Sequence, residues 1–181
     1  FGFNANDLSA EANLEWLWSE KWGGIKGKLL TSRLTPDYIT ESYFSNHYRW
    51  NNSFNKTNAL HLYIAYFNPK LNAELTYSAH TFTDLIIWNE QAQPQQLPEA
   101  INVSQLILQK HTQWRNFFLH IWIGLQLSSS GKLKLPLYWT QSLVYWQKPM
   151  FNNALLMQLG FLFNAQTKYF TNAYMPATGQ F

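Results

Sequence analysis

The 181-residue chain is 46% hydrophobic and 18% aromatic, yet its mean hydropathy is only -0.29, because apolar side chains are interleaved with Asn, Gln, Ser and Thr. No apolar run approaches the roughly 20 residues that a transmembrane helix needs, so that class is excluded. A net charge of +3 with 13% charged residues, and no Lys/Arg cluster to neutralise phosphates, excludes a nucleic-acid partner; the lack of cysteine removes disulfides and thiolate chemistry and suits an oxidising compartment.

Phe1 to Asn6 carries no Met start, basic segment or signal-type apolar stretch, so the chain reads as a mature form or an internal piece of a longer one, the latter being favoured. From Leu8 to Trp18 the even positions Leu8, Ala10, Ala12, Leu14, Trp16 and Trp18 oppose Ser9, Glu11, Asn13, Glu15 and Leu17, a two-residue period that predicts a strand with one apolar and one mainly polar side. Trp22-Gly23-Gly24 breaks it, and Ile25, Gly27 and Leu29 start a weaker strand that ends before Pro36. Tyr38 to Trp50 is expected to be a further strand, followed by a polar loop at Asn51 to Asn58. Leu60, Leu62, Ile64 and Tyr66 mark the next strand, up to a turn at Asn68-Pro69-Lys70.

Leu71 to His80 alternates most strictly: Leu71, Ala73, Leu75, Tyr77 and Ala79 against Asn72, Glu74, Thr76, Ser78 and His80. A phase change near Thr81 to Thr83 predicts a bulge, with the strand running on through Leu85 to Trp88. Gln91 to Glu99 reads as a long loop. The pattern resumes at Ile101, turns near Thr112 to Asn116, and gives the face Phe117, Leu119, Ile121, Ile123, Leu125 and Leu127. Ser128 to Lys132 closes that hairpin; Leu133, Leu135, Leu137, Trp139, Leu143 and Tyr145 form the following apolar face. A turn at Lys148-Pro149-Met150 leads to Leu155, Met157, Leu159, Phe161 and Phe163.

These segments amount to about nine strands in one domain over residues 1–181, each near the 9 to 11 residues with which a tilted strand crosses a bilayer. The fold class they define is all-β: an antiparallel transmembrane β-barrel, an up-and-down meander, and an incomplete portion of a larger barrel. Connections alternate between two ends, with Asn51 to Asn58, Gln91 to Glu99, Ser128 to Lys132 and Thr171 to Phe181 at one, and turns at Pro36, Pro69, Gln113 and Pro149 at the other.

In such a barrel Glu11, Glu15, Asn72, Glu74, Thr76 and His80 face the lumen, either setting its polarity and ion preference or forming a structural hydrogen-bond network. Trp16, Trp18, Trp50, Trp88, Trp139 and Trp146 lie near predicted strand ends, where amphipathic rings prefer the membrane interface.

Chemistry has little local signal. His47, His61, His80, His111 and His120 are scattered singly with no metal-ligand spacing, and Ser78, His80 and Asp84 form the one local triad-like set without a nucleophile motif. No nucleotide-binding glycine loop occurs, so no catalytic, metal or cofactor residue is assigned and an enzyme is not expected.

Leu155-Leu156-Met157-Gln158-Leu159-Gly160, then Thr167 to Phe170, then Ala173 to Phe181 (A-Y-M-P-A-T-G-Q-F) come in an order that resembles the C-terminal region of the putative porin family of outer-membrane β-barrels from Bacteroidetes. Leu71 to Ser78, Thr81 to Trp88, Gln93 to Gln96 and Ser104 to Lys110 are similar too. The resemblance implies a porin-like barrel in the outer membrane of a Gram-negative bacterium, with further strands after the segment like Ala173 to Phe181. The expected partners are outer-membrane lipid, small polar solutes, and further copies or other envelope proteins. Passive diffusion of small polar solutes is the leading function. The alternatives are a plugged barrel serving an envelope secretion or uptake complex, and a soluble β-protein that binds carbohydrate through exposed aromatics.

Overall fold

The structure is a computed structural model and describes residues 6–170. In chain order the elements are β1 (Leu8–Ser19), β2 (Gly23–Leu34), α1 (Tyr38–Glu41), β3 (Ser42–Phe44), β4 (Arg49–Asn51), β5 (Thr57–Asn68), β6 (Ala73–Thr83), β7 (Ile86–Trp88), β8 (Pro94–Gln96), β9 (Ile101–Trp114), β10 (Phe117–Ser128), β11 (Tyr138–Met150) and β12 (Leu155–Gln166). Eight of the strands form one antiparallel sheet in the order β1-β2-β5-β6-β9-β10-β11-β12, a meander in which each long strand pairs with its neighbours in sequence. Among the described residues β1 and β12 are its two edges, so the sheet is not closed into a barrel.

The alternation that makes these segments strands also sorts their side chains. Leu14 lies across from Gly27, Gly27 from Ile64, Ile64 from Tyr77, Tyr77 from Leu106, and Leu106 from Leu125, so one apolar row crosses six strands on a single face. That face is open: Trp16 is 60% exposed, Leu127 65% and Phe161 80%. Buried hydrophobic residues among the described ones are Trp50, Ala65, Leu97, Ile101 and Val103. The large apolar side chains therefore point away from the protein, the reverse of a water-soluble sandwich.

The connections sort by length. β1–β2, β5–β6, β9–β10 and β11–β12 are joined at one end by turns, whereas β2–β5, β6–β9 and β10–β11 are joined at the other by long segments. At the β1–β2 turn Gly23 adopts φ 78, and a Cβ there would run into the Phe67 carbonyl oxygen of the adjoining strand.

Several expectations are corrected. Tyr38 to Trp50 is not a wall strand: it forms α1 and the β3–β4 hairpin, so Pro36 and Asn51 to Asn58 belong to one long connection at the same end. The strand at Leu71 to His80 does not run on to Trp88. Asp84 turns with φ 56, and Ile86–Trp88 pairs instead with Pro94–Gln96, inside the segment expected to be loop. Lys148-Pro149-Met150 stays in β11, where Pro149 lies across from Leu156, and the turn falls at residues 151–154. Leu133 to Leu137 precede β11, and Trp139, Leu143 and Tyr145 align with Gly124, His120 and Phe118 on the polar face. Thr171 to Phe181 lies outside the described residues.

The small core sits under the long connections. Leu97 and Ile101 are fully buried, Val103 nearly so, with Phe82, Leu85, Ile87 and Leu133 packed against them. Residues from the β6–β9 and β10–β11 connections thus fold onto the polar-face ends of β6 and β9. The β2–β5 connection joins them: the Trp50 ring stacks on Tyr43 at 4.7 Å and meets Trp88 edge-on at 5.6 Å. Gln96 Nε2 donates to the carbonyl oxygens of Asn55 and Asp84, both at 2.8 Å.

Candidate functional site on the polar face

The polar face divides into two halves of different chemistry. On β1, β2 and β6 it carries Glu11, Glu15, Lys26, Lys28 and Glu74. Lys28 Nζ approaches Glu11 at 2.9 Å, and Asn13 donates to the same carboxylate at 2.7 Å. Lys26 reaches Glu74 at 2.8 Å, crossing from β2 to β6 over β5, where its register partner is the small Ala65. A bulkier residue at that position would block the bridge. Asn13, Lys26, Lys28 and Glu74 line a groove of 570 Å³ with Glu15, Tyr63 and Thr76.

Towards the long connections, a polar row crosses from β5 to β10. The Nδ1 atoms of His61 and His80 stand 2.7 Å apart, one ring donating to the other, and His80 Nε2 lies 3.1 Å from Ser78 Oγ. Ser78 donates to Gln105 at 3.4 Å, and Gln105 to Gln126 at 2.9 Å. Ser78 and Gln126 are buried, and the row satisfies polar groups that would otherwise be costly there.

Over β9 to β12 the polar face holds amides and rings. His111 and His120 pack at 4.3 Å, Trp122 meets His111 edge-on at 5.7 Å, Tyr145 meets His120 at 5.5 Å, and Phe118 stacks on Tyr145 at 4.8 Å. Sequence reasoning missed this cluster because its members are spread over three strands; only the register assembles them.

Of the polar positions singled out in the sequence, Glu11, Glu15, Glu74, Thr76 and His80 share the polar face. Thr76 Oγ1 donates to Glu74 at 3.3 Å. Asn72 stands apart, in the β5–β6 turn with φ 46, its carbonyl accepting the His111 N–H at 2.9 Å. Trp16 lies on the apolar face of β1, Trp18 is exposed at the register shift between Leu17 and Ser19, and Trp146 lies on the apolar face of β11 across from Leu159. Trp50 and Trp88 pack together in the long connections, with Trp50 Nε1 donating to the Ile39 carbonyl at 2.9 Å. Trp139 is on the polar face. Asp84 does not join Ser78 and His80; its side chain accepts from Asn55 at 3.4 Å. Among the described residues no three His, Asp or Glu side chains gather as a metal-ligand set, and no helix is long and apolar enough to cross a membrane.

An antiparallel meander of two-faced strands, apolar on one side and polar on the other, is the class of protein that fold and site define. The model of the family described as "Putative porin" matches residues 2–181, and the chain belongs to that family. Porins are normally non-enzymatic. No curated protein and no solved structure matches the chain.

Proposed function

We propose that this chain forms part of the wall of an outer-membrane β-barrel in a Gram-negative bacterium and lines a channel for passive diffusion of small polar solutes. The observation that carries this reading is the exposed apolar face, shared by strands of 11 to 14 residues. A strand of about 12 residues is roughly 40 Å long and, tilted by about 45°, spans close to 30 Å, the hydrocarbon thickness. Lipid covers the apolar face and water the polar one. Among the described residues the edges at β1 and β12 have no pairing neighbour, and lipid cannot satisfy open backbone groups, so further strands of the same chain, or another copy or envelope protein, complete the wall.

Swelling of liposomes containing the full-length protein, in isosmotic small polar solutes, tests the channel. Entry that falls with solute size supports it, and liposomes no leakier than empty ones would overturn it. One observation favours a second reading, a plugged barrel in a secretion or uptake complex: Leu97 and its neighbours fold onto the polar-face ends of β6 and β9. Co-purification with a partner at fixed stoichiometry, without conductance, would favour that reading.

A further inference from the structure

We infer that the β9–β12 half of the polar face is a binding track for neutral oligosaccharides, which deepens the channel reading and rests on it. On this half, among the described residues, no Asp, Glu, Lys or Arg shares the face. Lys110 and Lys148 fall on the opposite parity, across from Ile121 and Met157. An ionic solute finds no counter-charge here, in contrast to the ion-paired half on β1, β2 and β6.

The face offers instead the two kinds of group that a sugar uses. Gln109, Gln141, Gln147, Gln158, Asn164 and Gln166 have side-chain amides without a hydrogen-bond partner among the described residues, each able to donate and to accept. The Trp122 and Trp139 indole N–H groups and the Tyr145 hydroxyl are likewise unpartnered there. Between them stand ring faces suited to the apolar C–H faces of a pyranose.

The arrangement is linear. Trp139 lies near the long-connection end of β11, Trp122 pairs across with Gln141, and His120, Tyr145 and Phe118 continue towards the short turns. From Trp139 to Tyr145 is six residues along β11, roughly 20 Å at about 3.3 Å per residue, longer than one sugar ring. At its start Trp139, Gln141, Asn164 and Gln166 line a cleft of 330 Å³, within the range of small-molecule sites. Successive sugar units exchange amide hydrogen bonds and ring contacts as they pass.

The test uses full-length protein in planar bilayers, with maltotriose as probe and polyethylene glycol of matching size as control. Maltotriose is expected to block the KCl current saturably and the glycol not to. Trp122→Ala is expected to raise the half-blocking concentration about tenfold, roughly 1.4 kcal/mol, read in each channel relative to its own KCl current. Gln141→Ala supplies a second variant should the first fail to show the heat-dependent gel shift of a folded barrel, and Trp146→Phe, on the apolar face, leaves the block unchanged. KCl conductance without saturable block, or equal block by the glycol, overturns the inference and leaves the channel standing. Loss of conductance with saturable quenching of tryptophan fluorescence by maltotriose in detergent, weakened by Trp122→Ala, overturns the channel and keeps the track. Neither signal overturns both.

Discussion

The indole of Trp139 crowds the place where a Cβ on Gly124 would stand, its Cε2, Nε1 and Cζ2 atoms lying against the bare backbone of β10. Gly160 of β12 stands in a similar relation to Tyr145, whose Cβ lies 2.5 Å from the point that a Cβ on Gly160 would occupy. Both large rings that β11 places on the polar face thus have a glycine on a neighbouring strand, and that face stays low enough to leave room above it. Gly124→Ala is expected to force the indole out of place at a cost of about 1 to 3 kcal/mol, the usual penalty of overpacking. The readout is the temperature at which the folded, SDS-resistant form is lost. Adding Trp139→Ala should recover much of the loss, because the two substitutions remove one clash between them.

Orientation in the bilayer gives a second prediction. Ile123 lies mid-strand on the apolar face of β10, while Gln141 of β11 lies on the polar face at nearly the same level, across from Trp122. Ile123→Lys places an ammonium among lipid tails and is expected to cost about 2 to 4 kcal/mol, read as loss of the heat-dependent gel shift or of assembled protein. Gln141→Lys keeps its charge in water and should assemble normally. The reverse outcome would mean that the faces are assigned the wrong way round.

The charged half predicts ion preference. Glu11 and Glu74 are matched by Lys28 and Lys26, whereas Glu15 has no basic partner among the described residues. Its carboxylate should bias the channel weakly towards cations, and Glu15→Gln should reduce the K⁺/Cl⁻ permeability ratio by a factor of about two. Lys26→Gln leaves Glu74 uncompensated and should shift the ratio the other way. Reversal potentials across a KCl gradient check both, and stability should hardly change, because such pairs in contact with water contribute little.

Parity in the sequence places Glu11, Glu15, Glu74, Thr76 and His80 on one face, because each strand that carries them has a single apolar side. The same argument fails at β11, where Trp139, Leu143 and Tyr145 on one side rival Val144 and Trp146 on the other. Only pairing with Gly124 and His120 fixes the phase, and pairing is not local information. Tyr38 to Trp50 misleads for a related reason: the aromatic residues of a short hairpin that packs on its own loops alternate much as those of a wall strand do. Asn72 continues the alternation of Leu71 to His80 but lies in the turn, where its left-handed φ is one that Asn tolerates better than most residues.

The long connections supply the last prediction. Leu97 has no exposed surface, and its backbone N–H donates to the Leu85 carbonyl at 2.9 Å, which ties the β7–β8 hairpin back to the start of its own connection. Lys132 adds an ion pair to Glu99 at 3.1 Å, but both side chains are about half exposed, so packing rather than charge holds this cap. Leu97→Ala leaves a cavity among Ile101, Val103, Phe82 and Leu133, at a cost of about 2 to 5 kcal/mol. The cluster reaches only the ends of β6 and β9, at Phe82, Ile101 and Val103, and the rest of the wall ladder pairs away from it, so the loss should fall on the cap: faster proteolysis within residues 84–100 and a noisier or larger single-channel current, with the heat-dependent gel shift retained. Loss of the gel shift itself would mean that the cap and the wall fold as one unit.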